Sequence, residues 1–234
     1  MPIDLKAAVA PKAREAAYPA LKASIVLFDC NPGTRSWTVP EGVSQIRAFV
    51  VGAGSSATSS VGGAGGGYSE KIIDVTTGQV ISYTVGAPSA PGATTPAGTS
   101  AFGGIISATG GSTTEVGQGS GGDINTEGGP PNSGASNGAG SGAGHAFGNG
   151  QQGAANVRGG GFSDGSRSFV DGWKIGVVPG DMNYGLGGVS SGAPIQAGMG
   201  GGAGHSQSPA GIGGGASGAT ISGGPGLVGI EVIA

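Results

Sequence analysis

The chain has 234 residues, and 56 of them are glycine, close to a quarter against a usual share of about 7%. Only 10% are charged and 5% aromatic, the formal net charge is −3, and there are one cysteine and two histidines. This excludes the basic stripe of a nucleic-acid binder, an internal disulfide and a Cys-rich zinc site. It also leaves little material for acid–base or metal catalysis, so neither an enzyme nor a bound metal or cofactor is expected. No apolar run approaches the ~20 residues that span a bilayer, and membrane insertion is not expected. The opening Met1-Pro2-Ile3-Asp4-Leu5-Lys6 shows no basic stretch followed by an apolar one, which points to synthesis in a cytoplasm.

In chain order, residues 1–23 are alanine-rich and carry Lys6, Lys12, Arg14 and Lys22 against Asp4 and Glu15. Pro11 and Pro19 interrupt any helix there, leaving at most short turns. Residues 24–102 read as β. Ser24–Phe28 and Arg35–Val39 are short strands. Ser44–Val51 alternates Ile46, Ala48 and Val50 against Gln45, Arg47 and Phe49. Ser69–Val75 and Gln79–Val85 are separated by Thr76-Thr77-Gly78, which predicts a hairpin by length and chemistry. Near the other end, Gly226–Ile233 sets Val228, Ile230 and Val232 on one face.

Between them, residues 103–226 hold 42 of the 56 glycines and only nine charged residues. That is too little side-chain surface for an ordinary hydrophobic core. Ordering glycine costs more backbone entropy than ordering any other residue, so such a segment needs a specific reason to fold. A collagen triple helix needs glycine at every third position, and Gly138-Ala139-Gly140-Ser141-Gly142-Ala143-Gly144 breaks that period. The interleaved alanine, asparagine, isoleucine and valine disfavour a Gly/Ser linker. The favoured reading is polyglycine II, an array of extended three-fold helices. Each has roughly 3.1 Å per residue and no internal hydrogen bonds, and the absent Cβ lets neighbouring backbones pair laterally. Gly159-Gly160-Gly161, Gly200-Gly201-Gly202 and Gly213-Gly214-Gly215 are the expected interior segments. An irregular glycine-rich β-fold is the competing reading.

Several motifs look like chemistry. Gly52-Ala53-Gly54-Ser55-Ser56-Ala57 follows a strand and matches a dinucleotide-binding fingerprint, with Glu70 or Asp74 as the ribose acid. The helix that must follow is replaced by Thr58–Gly67, a very poor helix former, so the match is read as a glycine-rich loop. Gly161–Gly165 and Gly188–Gly192 match Gly-x-Ser-x-Gly, a frequency that chance supplies with 15 serines in a span one-third glycine. His145 and His205 each end a Gly-Ala-Gly-His tetrapeptide and are solvated turn residues or ligand contacts. Cys30 reads as a small hydrophobe next to the turn Asn31-Pro32-Gly33. The glycine-poor island 167–184 mixes Phe169, Trp173 and Tyr184 with Arg167, Lys174, Asp171 and Asp181. It is either a recognition surface or a hairpin with a small core of its own. Asp164, Asp171 and Asp181 lie near one another in sequence, but spacing alone does not pair them as a glycosidase would require.

Ser36-Trp37-Thr38-Val39-Pro40-Glu41-Gly42-Val43, the strand Ser44–Val51 and the glycine run from Gly52 together resemble the opening of glycine-rich domains in phage tail-fibre and tail-tip proteins. Gly65–Gly86 is similar to their second block and Gly223–Ile233 to their closing strand. The array itself is similar to that of distal adhesins of T-even-like phages, although residues 1–23 lack the tryptophan-rich attachment pattern found there.

The resemblance implies a mainly β and irregular fold: a small antiparallel β-domain (24–102, closed by 226–234) carrying a polyglycine II array (103–225), after an attachment segment (1–23). It further implies a non-enzymatic receptor-binding protein of the virion. Its partners would be a host outer-membrane protein, pilus or glycan and the phage tail fibre or tail proteins, with monomer and homotrimer both open. The expected receptor contacts are Phe147, Phe162, Phe169, Trp173, Lys174, Tyr184 and His205. The alternative is a structural component of a fibre or surface layer without receptor contact.

Overall fold

The computed structural model describes residues 24–133, 139–146, 148–153, 202, 210–217 and 221–233. Among these there is no α-helix; the secondary structure is short strands and extended segments. Sheet I has five strands in the order β1 (Ser24–Asp29), β12 (Leu227–Val232), β3 (Gln45–Val51), β5 (Tyr68–Asp74), β10 (Ile124–Thr126). Sheet II follows with β2 (Gly33–Thr38), β6 (Val80–Val85), β7 (Ser100–Phe102), β8 (Ile106–Ala108), β9 (Gly119–Ser120). A two-residue pairing joins β4 (Val61–Gly62) to β11 (Asn132–Ser133). Every pairing is antiparallel.

The two sheets pack face to face. Alternation in β3 puts Ile46, Ala48 and Val50 inside, fully buried, and β12 contributes Val228 and Ile230. Sheet II answers with Ile81, Tyr83, Val85, Phe102 and Ile106. β12 is the second strand of sheet I, between β1 and β3, so β1 and β12 close that side of the sheet together. Asp29 ties the sheets at one open side: its carboxylate accepts from Tyr83 (3.0 Å) and Arg35 (2.9 Å). Burial and the neighbouring Asp29 carboxylate both push the Tyr83 phenol up from its ordinary value.

The hairpin expected at Thr76-Thr77-Gly78 does not form. The turn closes, with the Gln79 N–H donating to Thr76 O at 2.9 Å, but β5 pairs with β3 and β10 in sheet I while β6 pairs with β2 and β7 in sheet II. Both edges of each strand are already occupied, so the connection arches between sheets. The boundary expected after residue 102 is also crossed. Strands β8, β9 and β10 lie beyond it and complete the sheets, while residues 52–67, expected in the β-domain, run through the glycine-rich part.

The outer face of sheet I carries a charged row. Arg47 Nε lies 2.9 Å from Glu231, its Nη1 lies 3.7 Å from Glu70, and its guanidinium sits 5.8 Å from the centre of the Phe49 ring. Tyr68 donates its hydroxyl to Glu70. Toward the array, the same face turns apolar: Phe49, Val51, Tyr68 and Leu227 pack against Ala143 and Ile212.

Candidate binding end of the glycine-rich array

Residues 63–67 form a thread surrounded by others. The Gly63 N–H donates to Ala216 O (2.9 Å), and three residues on the Gly66 N–H donates to Gly213 O (2.8 Å). Ala64 and Gly67 repeat the step to Ser112 O (3.3 Å) and Thr109 O (3.1 Å). Gly65 donates to Gly129 O (3.1 Å) and accepts from the Gly117 N–H (3.0 Å). The carbonyls of Gly63 and Gly66 accept from Ser141 and Gly144, and those of Ala64 and Gly67 accept from Ser55 and Gly52. A neighbour recurring every third residue is the signature of a three-residue turn, unlike the two-residue repeat of a strand.

The six surrounding threads also bond to one another. Gly111 donates to Ala53, Ala216 to Ser55, Gly215 to Ser141, Gly129 to Gly142, Gly128 to Gly117, and Thr109 to Gln118, which closes a ring. This is polyglycine II packing. Its requirement is visible at Gly65, where an added Cβ would stand 1.9 Å from Gly142 O. The interior thread is thus Gly63–Gly67. Of the expected interior segments, Gly213-Gly214-Gly215 belongs to the surrounding ring, while residues 159–161 and 200–201 lie outside the described residues.

The array has two ends. At one, Gly67 runs into β5, Gly52 follows β3 and Gly226 precedes β12, so this end rests on sheet I. The opposite end carries the turns at 58–60, 90–96 and 113–115 and the β4–β11 pairing. Ser59, Ser60, Thr94, Thr95, Thr114 and Glu115 are exposed there. Behind them, buried serines satisfy the backbone: Ser55 Oγ accepts from the Ala64 N–H (2.9 Å), and Ser56 donates to Ala93 O (2.8 Å). The Gly153 N–H donates to Ser141 Oγ (3.1 Å) and Asn132 pairs with Gly62, so both positions lie at the level of Gly63, the end away from the sheets.

A family model described as a glycine-rich domain matches residues 29–234. The chain belongs to the glycine-rich domain family. No curated protein matches it.

All seven expected contact residues of this glycine-rich domain (Phe147, Phe162, Phe169, Trp173, Lys174, Tyr184 and His205) lie outside the described residues, as do both Gly-x-Ser-x-Gly segments and the island 167–184. These exposed polar turn residues of the far end were not singled out by the sequence. Their signal was present as Ser/Thr beside Gly or Pro between apolar runs, but such turns occur throughout the chain. Gly52–Ala57 enters the array as an extended thread with no helix after it, as the loop reading of the fingerprint requires. Cys30 is half-buried beside the apolar cluster of Phe49 and Leu227.

His145 is a turn residue, exchanging backbone hydrogen bonds of 3.1 Å with Gly148, and it is half-buried rather than freely solvated. It sits at the sheet-side end, where burial pushes its imidazole down to about 4 from the ordinary 6.5. The reason is that the array stands directly on sheet I, and Thr126 of β10 donates its hydroxyl to His145 O (3.0 Å).

Proposed function

We propose that the chain is a bacteriophage receptor-binding protein of a tail-fibre tip or tail spike, carried in the virion. Residues 1–23 would attach to the tail, and the turns at the far end of the array would meet a receptor on the host cell surface. The observation that carries this reading is polarity. Ser24 pairs with Val232 and Gln45 with Asp74 at the end of the sandwich remote from the array, so residues 1–23 join the molecule opposite the exposed turns.

A core held by backbone pairing supports the same reading. Substitutions in the turns leave its hydrogen bonds untouched, and specificity can change without loss of fold. The aromatic and polar residues Phe162, Phe169, Trp173, Lys174, Tyr184 and His205 are assigned to receptor contact, as rigid stacking area with directional polar partners; Phe147 is left out, because His145 and Gly148 on either side of it turn at the sheet-side end.

Purified chain added to host cells should compete with phage adsorption. The double variant Trp173→Ala, Tyr184→Ala should need at least about tenfold more protein for the same block, with an unchanged thermal midpoint; about 1.4 kcal/mol of lost binding corresponds to that factor. Undiminished competition by the double variant rejects those contacts. A wild-type chain that does not compete at all favours a structural component of the fibre instead.

A further inference from the structure

Four strands form the edges of the two large sheets, and three are blunted. β9 has two residues and β10 three, and β1 shifts register between Ile25 and Leu27. β2 is different. It has six residues, pairs with β6 in unbroken register from Gly33↔Val85 to Thr38↔Val80, and contains no proline. Among the described residues nothing pairs with its other side. Its one charge, Arg35, is folded back onto the Asp29 carboxylate and onto Asn31 O (2.7 Å). Long, regular edges of this kind are templates for another strand, and natural sheets ordinarily carry a bulge, proline or free lysine to prevent it.

We propose that β2 is a self-association edge, at which two copies of this chain pair antiparallel about a two-fold axis and join their second sheets into one of ten strands. A second copy fits because the strand is complementary to itself in one register. Arg35 and Trp37 pair across to the buried Tyr83 and Ile81 and so share the inner face, Trp37 partly buried against the core and Arg35 exposed at the rim; Thr34, Ser36 and Thr38 face outward. A two-fold axis normal to the sheet keeps inward residues opposite inward ones. Of the registers that pair five residues, one centres on Arg35 and sets two guanidinium groups side by side. The other centres on Ser36, setting Ser36 against itself, Thr34 against Thr38, and Arg35 against the Trp37 ring of the partner. The Ser36-centred register is the one selected. It closes as a dimer and leaves only the two-residue β9 at each rim of the joined sheet. The outward row beside it, Ser82 and Thr84 on β6 with Thr34, Ser36 and Thr38 on β2, is uncharged and adds no repulsion.

The test uses the full chain. Sedimentation velocity should show a dimer whose fraction rises with concentration through the micromolar range. Ser36→Lys, which places two ammonium groups on the axis, should shift the dimerisation constant at least tenfold, while Ser59→Lys at the far end of the array leaves it unchanged. In a Cys30→Ser background, Ser36→Cys should form a disulfide-linked dimer on mild oxidation, because directly opposed residues have Cα atoms ~4.5–5.5 Å apart, within disulfide reach. Thr34→Cys alone should not. A monomer at every concentration, a trimer, or cross-linking through Thr34→Cys but not Ser36→Cys overturns the proposal. A monomer whose β2 amides are nonetheless protected from hydrogen exchange also overturns it, and assigns the edge to a segment of the same chain.

Discussion

The sandwich and the array solve the same problem by opposite means. Between the sheets, cohesion comes from side chains: Phe102, Ile46, Ile106 and Ile230 are buried and exclude water from one another. In the array it comes from their absence. Gly63–Gly67 sit inside a ring of six threads, and the buried residues nearby are small, such as Ala53, Ala64, Ala143, Ser55 and Ser141. The first kind of core tolerates exchange of one apolar side chain for another of similar volume. The second tolerates nothing larger than hydrogen at its close approaches and leaves its exposed turns unconstrained.

The largest expected effect separates the two cores by what they lose. Phe102→Ala, which empties a fully buried site between the sheets, should lower unfolding free energy by about 3–5 kcal/mol in a denaturant titration. A loss below about 1 kcal/mol would mean that the array carries the sandwich. Gly65→Ala breaks the array from the other direction, by addition. Its Cβ meets backbone, which has no rotamer to escape into, and the expected cost is about 3 kcal/mol. If the variant is as stable as the parent, the ring of threads is looser than its hydrogen bonds imply.

The smallest effect lies at the junction of the two regions. The His145 imidazole is held below its unfolded value, so between pH 6.5 and about 4 the unfolded chain binds a proton that the folded chain does not. Stability should therefore fall as pH falls through that window and level off below it. The partial exposure of the ring limits the change to about 1–2 kcal/mol. His145→Gln should remove that part of the slope, and an unaltered pH profile would show that the imidazole is solvated.

Much of this was legible. The alternation in Ile46–Val50 and Val228–Val232 marked the inward faces of two strands, because a side chain every second residue is a property of the strand alone. Glycine without a collagen period, interleaved with alanine and serine, marked lateral backbone pairing. What could not be read was which strand answers which. Thr76-Thr77-Gly78 has hairpin chemistry, yet an arch and a hairpin place the same demands on those three residues and differ only in what already occupies the edges of β5 and β6. The seven residues expected to touch a receptor fall outside the described residues; what the structure shows is a framework, the far-end turns and the direction in which the threads run.

Composition by itself thus determined that half of this protein could not be held by side chains, since a residue without Cβ has nothing to bury. Only the tertiary structure decided that the interior thread is Gly63–Gly67, that its neighbours come from residues 52–55, 109–118, 128–129, 141–144 and 213–216, and that β2 has one side unpaired among the described residues. The physical reason is that a bare backbone bonds equally well to any other. Where such threads lie is set by the strands that anchor their ends, and sequence local to the threads carries no record of it.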